Sequence, residues 1–137
     1  MSDSVEIEED LSFPDEWQSY NCPPSDSVSP NEEYPFYRAV KNKPAIASDF
    51  LNAVEEGKYK TASMCDRLSI SLLNSEDGAY HHLELFPWKS HFHIAKLRLN
   101  SSHGKVKDTP TNKQPDHADW WPYRSVVREN TVIGYLV

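Results

Sequence analysis

Glycine is scarce in this chain: four residues in 137, set far apart at positions 57, 78, 104 and 134. That spacing excludes a glycine-rich loop cradling phosphate on its backbone amides, and no Gly-x-Ser-x-Gly elbow occurs. Cysteine is limited to Cys22 and Cys65, too few for a disulfide framework. The pair reads as two unpaired thiols in a reducing compartment, and the acidic opening Met1-Ser2-Asp3-Ser4 lacks the apolar run of a secretory signal. A cytoplasmic protein is therefore expected. No stretch approaches the ~18 apolar residues of a membrane span. Lys and Arg are missing from the first 33 residues, which hold ten of the 21 acids. The remaining residues carry 11 acids against 14 Lys and Arg, a net +3 within a chain of net −7.

What is present divides accordingly into an acidic tail, residues 1–33, and one domain, residues 34–137. The tail is charged and rich in Ser, with Pro14, Pro23, Pro24 and Pro30. It has too little apolar surface to offset its ordering entropy, so it is expected to be disordered in the free chain. Phe13, Trp17 and Tyr20 stand at i, i+4 and i+7, one face of a helix capped near Ser12 and surrounded by acids. Such a stripe can enter a partner's groove, fold back onto its own basic body, or serve only as a solubility appendage.

In the body, residues 34–40 read as a first strand, with Pro35 keeping its start at a sheet edge or at the strand entrance. Ser48 is placed to cap a short helix over 49–56, stopped by Gly57. Residues 67–73 alternate again, Leu68, Ile70 and Leu72 against Ser69, Ser71 and Leu73. Ser75 caps a second helix that Pro87 ends. Residues 91–99 form the longest alternating run and are expected to be the central strand. A short strand over 105–108, a polar loop over 110–119, and strands over 123–128 and 131–137 complete the chain. The order predicts an α+β domain with a mixed or mainly antiparallel sheet and two short helices.

Four chemistries are open. His91 and His93 on one strand face would lie roughly 6.6 Å apart, with His117, Asp119 or Cys65 as a third metal ligand; the better expectation is no metal, both histidines being hydrogen-bonded, because no second ligand motif accompanies them. Cys65 as a nucleophile lacks any surrounding motif and reads as a packed residue. Arg67, Lys96, Arg98, Lys105, Lys107 and Lys113 offer a basic sheet side, but a net +3 with an acidic tail makes nucleic acid an unfavoured partner. Trp120-Trp121 in extended chain point opposite ways, giving either two core residues or one core residue and one ligand platform.

Phe36-Tyr37-Arg38, Pro44, Asp49-Phe50-Leu51, Arg67-Leu68-Ser69 and His117 before Trp120-Trp121 resemble a pattern in small bacterial proteins of unassigned function. This resemblance spans the body and implies a self-contained bacterial or phage domain. Arg38, Ser69-Ile70-Ser71 and Glu129 also resemble, in order, the signature of ADP-ribosyltransferases of the arginine–serine–glutamate type. It implies that Arg38 holds the phosphates of NAD, Ser69 and Ser71 brace the nicotinamide pocket, and Glu129 holds the ribose hydroxyl. The chain departs from that family in lacking a Thr between the serines and a Glu-x-Glu at Glu129-Asn130-Thr131. The leading expectation is a non-enzymatic, cofactor-free protein-binding module, such as an inhibitor, antitoxin or accessory subunit. It would engage a protein partner through Phe13, Trp17 and Tyr20 or through Trp120 and Trp121; the NAD-dependent transferase is the alternative.

Overall fold

A computed structural model describes residues 10–58 and 62–137. The acidic opening, residues 1–9, and residues 59–61 of the polar connection lie outside the described residues. The strands are β1 (Phe36–Val40), β2 (Ile70–Leu73), β3 (His93–Leu97), β4 (Gly104–Asp108), β5 (His117–Pro122) and β6 (Val132–Tyr135). The α-helices are α1 (Met64–Leu68) and α2 (Glu76–Leu85). One sheet runs in the order β4-β5-β2-β1-β3-β6 with every pair antiparallel. The architecture is the expected α+β class. Among the described residues no helix is long and apolar enough to cross a membrane.

Several elements differ from the sequence expectation. The run 91–99 contributes β3, which stands next to the edge; β2 and β1 hold the centre. Its length marked many apolar neighbours, but its outer partner is only the four-residue β6. The expected helix over 49–56 is a 3-10 turn, Ala47–Phe50, because the Asp49 carboxylate accepts from the backbone N–H groups of Ile46 and Lys41 at 2.9 and 2.8 Å and ties the chain into a tight loop. Residues 64–68 form α1 where a strand was expected to begin at 67; Ser63 Oγ accepts from Asp66 N and starts the helix. The loop expected to 119 ends early, at β5, a strand with one intermediate and five buried residues. Residues 123–128 form no strand: Val126 N–H donates to Tyr123 O in a turn, and a 3-10 turn, Arg128–Thr131, follows. The second helix stands as expected, with Ser75 Oγ accepting from Gly78 N at 2.9 Å.

Strand alternation sorts the core into two faces. On the first, Phe36, Val40, Ile70, Leu72, Ala95 and Trp120 meet Phe50 from the 3-10 turn, with Val126, Val132 and Tyr135 packed against them. Arg128 holds that cover down, donating to Phe50 O at 2.7 Å and to both carboxylate oxygens of Glu55. On the second face, Tyr37, Leu73 and Ile94 pack on Ala79 and Leu83 of α2. In a third cluster, Trp121 packs with Leu68, Trp17 and Cys22. Gly104 opens β4 at φ +126°, where a Cβ would stand 2.1 Å from Trp121 O, so no side chain fits that close approach.

Of the tail, residues 10–33 are laid against the body, the fold-back that the sequence left open among three outcomes. Residues 15–20 form a 3-10 helix rather than an α-helix, so Phe13, Trp17 and Tyr20 share no single stripe. Trp17 is buried, Phe13 stacks on it at 5.5 Å, and Tyr20 stays 46% exposed. Cys22 and Cys65 are joined in a disulfide. This corrects the reading of two free thiols, and with it the argument for a reducing compartment. Their partnership is invisible at a separation of 43 residues and arises because tail and α1 share the Trp121 cluster. Val28 adds two backbone hydrogen bonds to Val106 on the outer side of β4, and Asp26 pairs with Lys107 at 2.9 Å.

Candidate functional site

The centre of the sheet is split. β1 and β3 pair over five residues, but β1 and β2 meet only where Tyr37 faces Leu73. The Arg38 guanidinium bridges the gap. Its Nε donates to Asp49 O and its Nη1 to Ser71 O, both at 2.7 Å, and it lies 5.8 Å from the centre of the Phe50 ring. Among the described residues no carboxylate lies within 4.0 Å of it. Burial pulls its pKa down to about 10, against the upward pull of Glu56 and Asp49, and it remains charged at neutral pH.

The split opens into a cleft of about 740 Å³ lined by residues from both faces of the sheet. Its floor is sheet, including Ala39 and Ser71. One wall is the end of α2 with the following 3-10 turn, Pro87–Lys89, and the other is the Ser48–Asp49 loop. Pro87 stops α2 and turns the chain outward, which projects Trp88 to 66% exposure at the mouth. Phe92 sits between two cations, 6.0 Å from Lys41 Nζ and 5.9 Å from Lys89 Nζ. The carboxylates of the cleft are already engaged: Asp49 with Lys41 N, Ile46 N and the Asn42 amide, and Glu56 with Lys58 at 3.3 Å. Arg38, Lys41, Lys58 and Lys89 line the cleft against the carboxylates of Asp49 and Glu56, so its lining is net positive within an acidic chain.

His82 lines the same wall. Its Nδ1 is 2.7 Å from Gln114 Oε1 and its Nε2 is 3.1 Å from Lys89 Nζ. A ring with hydrogen on Nδ1 donates to the amide oxygen and accepts from the ammonium, which is the neutral form. Burial lowers its pKa, the Gln114 hydrogen bond opposes this, and the charges of Lys89 and Arg38 lower it further. With the folded value below the ordinary 6.5, the unfolded chain binds the proton more readily. Stability from this group is complete above 6.5 and is lost as pH falls through the depressed folded value. His82→Asn, whose amide nitrogen can replace Nδ1, should flatten that part of a stability profile measured by urea unfolding. An unchanged acid limb would refute the assignment.

The sequence-named residues are scattered by comparison. Arg38 and Ser71 line the cleft together. Ser69 does not: it is buried, and its hydroxyl lies 2.8 Å from Asp66 O and 2.9 Å from Asp119 Oδ1. Burial raises the Asp119 pKa, with His117 and the Ser69 hydrogen bond opposing it. Glu129, in the 3-10 turn Arg128–Thr131, is not among the lining residues. The four residues of the transferase signature therefore form no common cleft. His93 lies in β3 opposite Val40, His91 precedes the strand with its ring edge-on to Phe92, and His117 lines the cleft while its Nδ1 lies 2.8 Å from Thr109 Oγ1. No group of three potential metal ligands occurs among the described residues. Trp120 and Trp121 point to opposite faces as expected, and both are core: their indole N–H groups donate to His103 O at 3.0 Å and Cys65 O at 2.9 Å. With Trp17 also buried, Tyr20 alone of the five named partner-binding aromatics is well exposed.

Compared with protein-family models, curated proteins and solved structures, the chain matches none. Sequence reading passed over Lys41, His82, Trp88 and Lys89. The available signal was the aromatic and basic cluster after a proline stop, Phe86-Pro87-Trp88-Lys89, but the matching cation on β1 lies more than forty residues away.

Proposed function

We propose that the chain is a non-catalytic binding module whose binding surface is the split-sheet cleft and whose ligand is anionic. The observation that supports this reading is the half-buried Arg38 guanidinium, held by two carbonyl oxygens rather than a carboxylate and joined in the lining by Lys41 and Lys89. A guanidinium so held is oriented before any ligand arrives, and its charge is compensated only at a distance. Four of the five aromatics first named as partner-binding residues, Phe13, Trp17, Trp120 and Trp121, pack within the protein's own clusters, which moves the reading from an aromatic-seeking protein partner to an anion-seeking cleft.

Inorganic tripolyphosphate is a suitable probe. Calorimetric titration at low salt should show saturable binding that weakens as salt is raised. Lys41→Glu with Lys89→Glu should weaken it by about tenfold or more, the scale of charge-assisted hydrogen bonds. Absence of saturable binding, or equal binding by the double variant, would overturn the reading.

A further inference from the structure

The cleft joins two recognition chemistries that a site for a bare anion does not need. Its lining is net positive, through Arg38, Lys41, Lys58 and Lys89. Its mouth carries an indole: Trp88 is 66% exposed, whereas Trp17, Trp120 and Trp121 are at most 4% exposed. An exposed indole offers a large flat apolar face on which a planar ring can stack. Trp88 is also held in place, since its ring meets Phe86 edge-on at 5.2 Å between centroids and the 3-10 turn that carries it is pinned by Lys89 N to Phe86 O at 2.8 Å and Ser90 N to Pro87 O at 3.0 Å. An aromatic plane fixed beside a group of cations suits a ligand with a flat ring at one end and multiple negative charge at the other. The volume of about 740 Å³ lies within the range typical of small-molecule sites.

Resting on the anion-binding reading above, we propose that the cleft is a site for a nucleoside phosphate, with the phosphates on Lys41, Lys89 and Arg38 and the base stacked on Trp88. No glycine-rich loop is required, because side-chain cations replace the backbone amides. Base-on-aromatic stacking tolerates any base, and the lining includes the Ser48 hydroxyl as a hydrogen-bonding group for the ribose.

The test uses the full chain and three probes: ATP, inorganic tripolyphosphate and adenosine. Calorimetry is paired with tryptophan fluorescence, in which Trp88 is the indole open to quenching. ATP should bind at least about tenfold more tightly than tripolyphosphate, as expected from one stacked base, and should quench the emission; adenosine alone should bind more weakly than ATP. Trp88→Leu should remove that advantage and the quenching while leaving tripolyphosphate affinity unchanged; its exposure makes misfolding no concern. Lys89→Ala should weaken ATP and tripolyphosphate alike. If tripolyphosphate binds as tightly as ATP and Trp88→Leu changes nothing, the nucleoside assignment fails and the anion-binding reading survives. If none of the three probes binds, both fail.

Discussion

Replacing Trp120 with alanine should lower the unfolding free energy by about 3–5 kcal/mol, the range for truncating a fully buried aromatic. Trp120 lies opposite Ile70 on one side and Val106 on the other, is fully buried in the larger core cluster, and satisfies its indole N–H on His103 O. Truncation leaves a cavity between β2, β4 and β5 and removes the donor to that carbonyl, and the flanking strands cannot collapse inward because β5 is paired on both edges. Trp120→Phe should cost less, since most of the volume stays. Chemical denaturation of both variants checks this. A loss below about 1 kcal/mol for Trp120→Ala would mean that the residue is not the core element described here.

Reduction of the Cys22–Cys65 bond should cost about 4 kcal/mol, the chain-entropy value for closing a loop across 43 residues. Much of the effect should appear in the tail. Without the bond, residues 10–33 are held by the Trp17–Trp121 cluster, by Val28 on β4 and by exposed ion pairs such as Asp10–Arg124 at 2.6 Å, and exposed pairs contribute little. The prediction is a large drop in the denaturation midpoint with reductant, together with new proteolytic cleavage between residues 10 and 33; under oxidising conditions that segment should resist cleavage. Cys65→Ser should reproduce the effect without reductant. Equal midpoints in the presence and absence of reductant would refute the staple.

Ser75 at the start of α2 and Pro87 at its end were legible because both act within one turn of chain. So were the alternating runs that became β2 and β3, the strands that became β1 and β4, and the opposite orientation of Trp120 and Trp121, which follows from the period of a strand. The misread stretches share another cause. Over 49–56 the pattern suited a helix, but one carboxylate, Asp49, captured the backbone amides of Lys41 and Ile46. Residues 10–33 were judged on composition alone, which cannot count apolar area supplied by Trp121 and Leu68 far along the chain. The cleft was illegible for the same reason: its cations and aromatics come from β1, the turn after α2 and the loop beyond it, and only the incomplete pairing of β1 with β2 brings them around one space.

The sequence by itself determined the α+β class, the ends of the longer helix, the alternation within most strands and the division of charge, since each depends on neighbours a few residues apart. The tertiary structure alone decided the strand order, the disulfide, the packing of Phe13 and Trp17 against the body, and the split that leaves Arg38 facing carbonyls. Each depends on which distant surfaces lower the free energy by meeting, and that choice is made by packing and pairing summed over the whole chain.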